Sequence, residues 1–145
     1  MGRLGTSAAA SVLLKLINSQ GVQNLLYGIS ATSLSKLELT SFTHAYNSVF
    51  SKIFKSFDDR VIMCCQFYCK YLCFDLLLDL HRYMLLSKLV INGCIDSRSE
   101  LDRPDYKDYI DLKSKYNFHD SDSLHKIKLK VWKRFENYNQ DMMSN

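Results

Sequence analysis

The sequence predicts an all-α protein, a helical bundle of five to six helices with a looser C-terminal helical extension. Three observations carry this expectation. The 145 residues include a single Pro and five Gly, too few breakers for a many-turned β architecture. Apolar residues make up 47% of the chain, so a core can form and disorder is disfavoured. Along most of the chain those apolar residues recur at three- and four-residue steps, the spacing of one helix face. The length suits one domain. Within it, residues 1–92 are expected to form the helical core, and 93–145 a linker plus a basic helical extension.

Residues 6–20 are the first helix. Thr6 or Ser7 can cap it, Ala8, Ala9 and Ala10 favour helix, and Val12, Leu13, Leu16 and Ile17 form its stripe. Gly21 is the expected stop. The short apolar segment 22–31 follows and fits either helix or strand. It contains Tyr27-Gly28, a junction at which Gly28 would let the backbone turn or approach a neighbour. Tyr27 would offer its hydroxyl at the core edge. Ser35 and Glu38 then have capping-box spacing, and Leu34, Leu37, Phe42, Tyr46, Val49, Phe50, Ile53, Phe54 and Phe57 mark a helix of about six turns.

Asp58-Asp59 would cap the next helix, 60–71. Cys65, Cys69 and Cys73 then fall at i, i+4 and i+8 on one face. Another helix, 74–91, is apolar around most of its circumference, with Asp75, Asp79 and Arg82 on one narrow face, which suits a central position. Asn92-Gly93 ends it. Residues 93–104 are the linker, 105–116 a tyrosine-rich helix, and 117–123 a second break. Residues 124–138 carry a helical seam of Leu124, Ile127, Val131, Phe135 and Tyr138. The run "KIKLKVW" within 124–132 also alternates like a strand. The helix is preferred because its stripe spans more residues.

Chemistry is sparse. Adjacent aspartates such as Asp58-Asp59 can hold magnesium for nucleotidyl transfer. Set between two helical patterns, helix capping explains them better. His119 and His125 lie close in sequence but lack the further ligands zinc requires. No nucleophile motif and no phosphate-cradling glycine loop occurs. No catalytic residue, metal site or cofactor is therefore expected. The five cysteines contain no C-x-x-C pair and are expected as small buried hydrophobes in a reducing compartment, which places the chain inside the cell, in cytoplasm or nucleus.

The apolar region 61–91 is cut by Lys70, Asp75, Asp79, Arg82 and Lys88, so no membrane span is expected. Met1-Gly2-Arg3-Leu4-Gly5-Thr6 formally fits an N-myristoylation pattern, which leaves peripheral attachment as a minor reading. Net charge is +4, and its distribution is uneven: no acidic residue precedes Glu38, and Lys126, Lys128, Lys130, Lys133 and Arg134 crowd the last helix. Basic residues interleaved with Trp132, Phe135 and Tyr138 can bind single-stranded nucleic acid by charge and stacking. The competing reading is that the aromatics bury and the lysines are solvated.

The chain from Gly2 to about residue 90 resembles the region just after the polymerase core in reverse transcriptases of non-LTR (LINE-type) retrotransposons. The resemblance rests on an ordered series: a leucine-striped helix, Leu25-Leu26-Tyr27-Gly28, a polar break, a long helix containing "NSVFSKIFKS", and Cys65-Gln66 in the next helix. Relatives often place Cys and Pro before the Tyr-Gly element, where this chain has Gly21-Val22-Gln23. A Leu-Pro-Ser step gives way to Leu72-Cys73-Phe74. An acidic residue and a Trp or Cys commonly follow the Tyr-Gly, where this chain has Ile29-Ser30-Ala31. The parent proteins are RNA-directed DNA polymerases whose catalytic aspartates lie upstream of the matched region. The resemblance thus implies a non-catalytic, thumb-like or connecting helical region that supports a template–primer duplex through backbone contacts.

The expected nucleic-acid contacts are Lys52, Lys55, Lys126, Lys128, Lys130, Lys133 and Arg134, binding RNA or DNA through basic helix faces. The alternative is a small intracellular protein–protein interaction module that self-associates or captures a partner through an exposed apolar face.

Overall fold

The computed structural model describes residues 3–95 and 103–145, with side-chain detail from Ala9 onward. The protein is all-α, 79% helical, and a bundle of six helical runs. The first run joins α1 (Arg3–Leu16), a π-helical turn (Ile17–Val22) and α2 (Gln23–Ser30) without a break. Then come α3 (Lys36–Phe54), α4 (Asp59–Tyr68), α5 (Phe74–Ile91), α6 (Pro104–Tyr116) and α7 (Leu124–Ser144). Met1, Gly2 and most of the expected linker, 96–102, lie outside the described residues, and with them the myristoylation pattern.

Helix α5 is the centre. Leu76, Leu80, Tyr83 and Leu86 on one side join Tyr109, Leu112 and Tyr116 of α6, Phe118, and Val131 and Phe135 of α7. Phe74 and Leu78 on the other side join Leu14, Val22, Leu26, Tyr46 and Phe50, with Ile62 of α4. A helix with cores on both sides has little room for a polar face, which explains its near-continuous apolar sequence. Two of its charges fasten α6, while Asp75 accepts from Thr43 of α3. Arg82 pairs with Asp108. Asp79 takes both Lys115 and the Tyr116 hydroxyl.

The C-terminal helices pack on the central α5 and on α4. Val131 and Phe135 are fully enclosed. Phe67 of α4 stacks on Trp132 at 5.3 Å and meets Phe135 edge-on at 5.8 Å. The boundary expected at residue 92 does not separate two cores, because α5 contributes to both.

Several local expectations need correction. Gly21 does not stop the first helix; the chain absorbs it in the π-turn, and the backbone remains αR on both sides. The junction reading of Tyr27-Gly28 also fails in its geometry. Both residues sit inside α2, Gly28 has no neighbour within 4 Å of an added Cβ, and Tyr27 is 81% exposed. The actual junction is the next five residues, 31–35. There Ser35 accepts from the Glu38 amide, and the Glu38 carboxylate accepts from the Ser35 amide at 2.9 Å. The Ser35 amide first, then the Ser35 hydroxyl donating to the same carboxylate at 2.7 Å, hold the Glu38 carboxyl below its ordinary pKa.

α3 ends where Lys55 turns left-handed at φ 54°, so Phe57 leaves the stripe and is 93% exposed. Leu37, also assigned to the stripe, lies in the first turn and is 83% exposed. α4 ends at Tyr68, three residues earlier than expected, and Cys73 stands at the N-terminal boundary of α5 without a side-chain capping bond. Cys65, Cys69 and Cys73 hence do not share one helix face. Asp58 caps α4, accepting from the Arg60 amide at 2.9 Å. The ambiguous segment 124–132 is helix, opened by Ser123 accepting from the Lys126 amide at 3.3 Å.

Candidate nucleic-acid interface

At 100° per residue, Lys126, Lys130, Lys133, Arg134 and Asn137 fall on one face of α7, beside the buried seam of Val131 and Phe135. Lys128 falls on the other flank of that seam. The sequence grouped these cations by proximity; helix geometry divides them.

Lys126 and Lys130 are partly committed to structure. Asp122, in the α6–α7 loop, is covered by both ammonium groups and accepts from the His119 amide at 2.9 Å. Its second oxygen lies 2.8 Å from Lys126, without hydrogen-bond alignment. The cover is local, two lysine side chains and a loop, and the carboxylate is otherwise peripheral. The adjacent Lys126 ammonium first, then Lys130 and the His119 amide, hold its carboxyl well below the usual range. Lys130 also donates to the Asn117 carbonyl at 2.6 Å, closing the end of α6.

Lys133 and Arg134 are exposed. Arg134 rests 5.4 Å from the Tyr138 ring centre, where the ring face steadies the guanidinium. With Lys115, Lys130 and Asn137 they line a shallow depression of about 280 Å³ over the α6–α7 corner, and no carboxylate stands in its wall. Lys115 was not foreseen. Its signal in the sequence was only its place in the last turn of α6, a position that also suits a lysine by the helix dipole.

The stacking half of the sequence reading is not assembled here. Trp132 packs on Phe67 and Phe135, and Lys70 covers its ring at 5.6 Å. Phe135 is buried. Only Tyr138 of the three aromatics is open, at 37% exposure, and Arg134 occupies it. Lys128 lies close enough to His81 of α5 to help depress the imidazole pKa, behind the larger effect of burial.

Lys52 and Lys55 sit elsewhere. Together with Lys15 they border a groove between α1 and the end of α3. A third recess of about 350 Å³ opens between α5 and α6. In it Lys113 at 2.6 Å and the Tyr109 hydroxyl at 3.1 Å both donate to Asp120. His119 faces this recess. Among the described residues no group of three or more His, Cys, Asp or Glu is placed to hold a metal, and no helix is long and apolar enough to cross a membrane. Comparison of the chain with protein-family models, curated proteins and solved structures finds no match.

Proposed function

We propose that the chain is a non-catalytic helical module that binds nucleic-acid backbone, the role implied by its resemblance to the post-polymerase region of non-LTR reverse transcriptases. The observation that carries the reading is the α6–α7 depression, lined by Lys115, Lys130, Lys133 and Arg134 with no acidic residue in the lining; Lys115 pairs with Asp79 and Lys130 with Asp122, so Lys133 and Arg134 are the chief phosphate contacts. Such a surface suits phosphates, because each neutralised phosphate releases condensed counterions. With Trp132 and Phe135 committed to the core, binding is expected to follow charge and groove shape, with little preference for base sequence.

The test is fluorescence anisotropy of a labelled RNA–DNA hybrid over a series of salt concentrations. Binding should weaken steeply with salt, by a slope of about −0.9 per phosphate contact on duplex DNA and a comparable value on a hybrid. Lys133→Ala and Arg134→Ala should each reduce that slope by about 1 and weaken binding alike for unrelated sequences. Lys128→Ala should leave it unchanged. A folded chain that ignores the hybrid at low salt ends this reading.

A further inference from the structure

A groove of about 860 Å³ runs between α1 and the C-terminal end of α3. Its apolar lining comes from Leu13 and Leu14 of α1, Ile53 and Phe54 of α3, and Cys69 and Tyr71 after α4. Leu14, outside the expected stripe, is buried, and Leu13 beside it is 48% exposed; Val12 and Leu16, 56% and 52% exposed, do not line the groove. Lys15 rises from one wall, and Lys52 and Lys55 from the other; all three are exposed, and no carboxylate lines the groove.

We infer that this groove docks an amphipathic helix of a partner protein, with apolar anchors at i, i+3, i+4 and i+7 and acidic residues along its flanks. An apolar floor between cationic walls is complementary to that pattern and to few others. A nucleic acid finds no use for the floor. A flat bilayer does not fill a recess flanked by lysines on two sides. A second copy of this groove, facing the first about a two-fold axis, would set Lys15, Lys52 and Lys55 against their own images. The surface is separate from the α6–α7 depression, so the inference stands or falls independently of nucleic-acid binding.

The experiment uses the full chain and a fluorescein-labelled synthetic helix of about 15 residues, long enough to hold helical structure, with Leu anchors and Glu flanks. Anisotropy should show saturable binding. The charge reversal Lys15→Glu/Lys52→Glu/Lys55→Glu should weaken it by about tenfold or more. Ile53→Trp, which fills the floor and keeps every charge, should weaken it as well. Lys133→Glu/Arg134→Glu should bind the peptide like wild type. Circular dichroism establishes that each variant is folded. The inference is overturned if the peptide does not bind, if a shuffled peptide of the same composition binds equally, or if the folded charge-reversal variant binds unchanged. A sedimentation result in which the chain dimerises through the groove and excludes the peptide overturns it too, as does binding to phosphatidylserine vesicles without binding to the peptide.

Discussion

Asp79 on α5 and Tyr116 at the end of α6 are joined by a hydrogen bond of 2.6 Å, from the phenol to the carboxylate. Burial first, then this bond and the carboxylate's charge, pushes the Tyr116 pKa up. The same oxygen takes Lys115 at 2.6 Å, but Lys115 is 42% exposed and its share is small. Tyr116→Phe should therefore cost about 1.5–3 kcal/mol, the range for a bond to a charged partner. Lys115→Met should cost less than about 1 kcal/mol. Urea denaturation of the two variants checks the ranking; the reverse order would move the fastening of α6 from the phenol to the lysine.

Gln66 lies 1% exposed between α3 and α4, and its amide donates to Asn47 at 2.9 Å. It is a buried polar group with a single cross-helix partner. Asn47→Leu should cost about 1–3 kcal/mol by leaving that amide unpaired. Asn47→Leu/Gln66→Leu should recover much of the loss, since an apolar pair of similar shape needs no partner. A double variant no more stable than Asn47→Leu would show that packing at this position dominates the hydrogen bond.

How far this fold was legible depended on where the determining force lay. Ser35 with Glu38, and Asp58 before α4, are local devices, and a local signal suffices to see them. The span of α5 was legible because its apolar run is bounded on both sides. The ends of α3 and α4 were not. Lys55 and Lys70 are non-glycine residues in left-handed turns, φ 54° and 65°, and nothing in their type announces a stop. At the candidate interface, Lys130, Lys133 and Arg134 were grouped with Lys126 and Lys128 by proximity alone, and the helix face that separates Lys128 was not used. Lys115 joins them only through the tertiary packing of α6 on α7, which no sequence spacing encodes. The burial of Trp132 depends in the same way on Phe67 of a distant helix.

Gly28 supplies a direct check on the corrected junction. It lies inside α2 with ordinary helical backbone and open space where a Cβ would stand. Gly28→Ala should stabilise the protein by about 0.5–1 kcal/mol, because Gly is the costlier residue in a helix interior. A turn or a close approach at Gly28 would make the same substitution destabilising. Thermal melting of this one variant separates the two. Ser35→Ala, at the real break, should cost about 1 kcal/mol by removing the cap.

His81 makes stability depend on pH. Its half-buried ring lies on α5, and burial first, with Lys128 second, lowers its pKa from the ordinary 6.5. The unfolded chain then holds the imidazole proton more tightly than the folded one. As pH falls the unfolded state takes up more protons, so stability is full above 6.5 and is lost as pH falls through that value towards the folded pKa. Melting temperature should decline from about pH 7 to about pH 5, less steeply in His81→Gln. Lys128→Gln removes the second cause and should raise the His81 pKa part of the way back. NMR titration of the imidazole protons measures both shifts, and a wild-type pKa at or above 6.5 would refute the assignment.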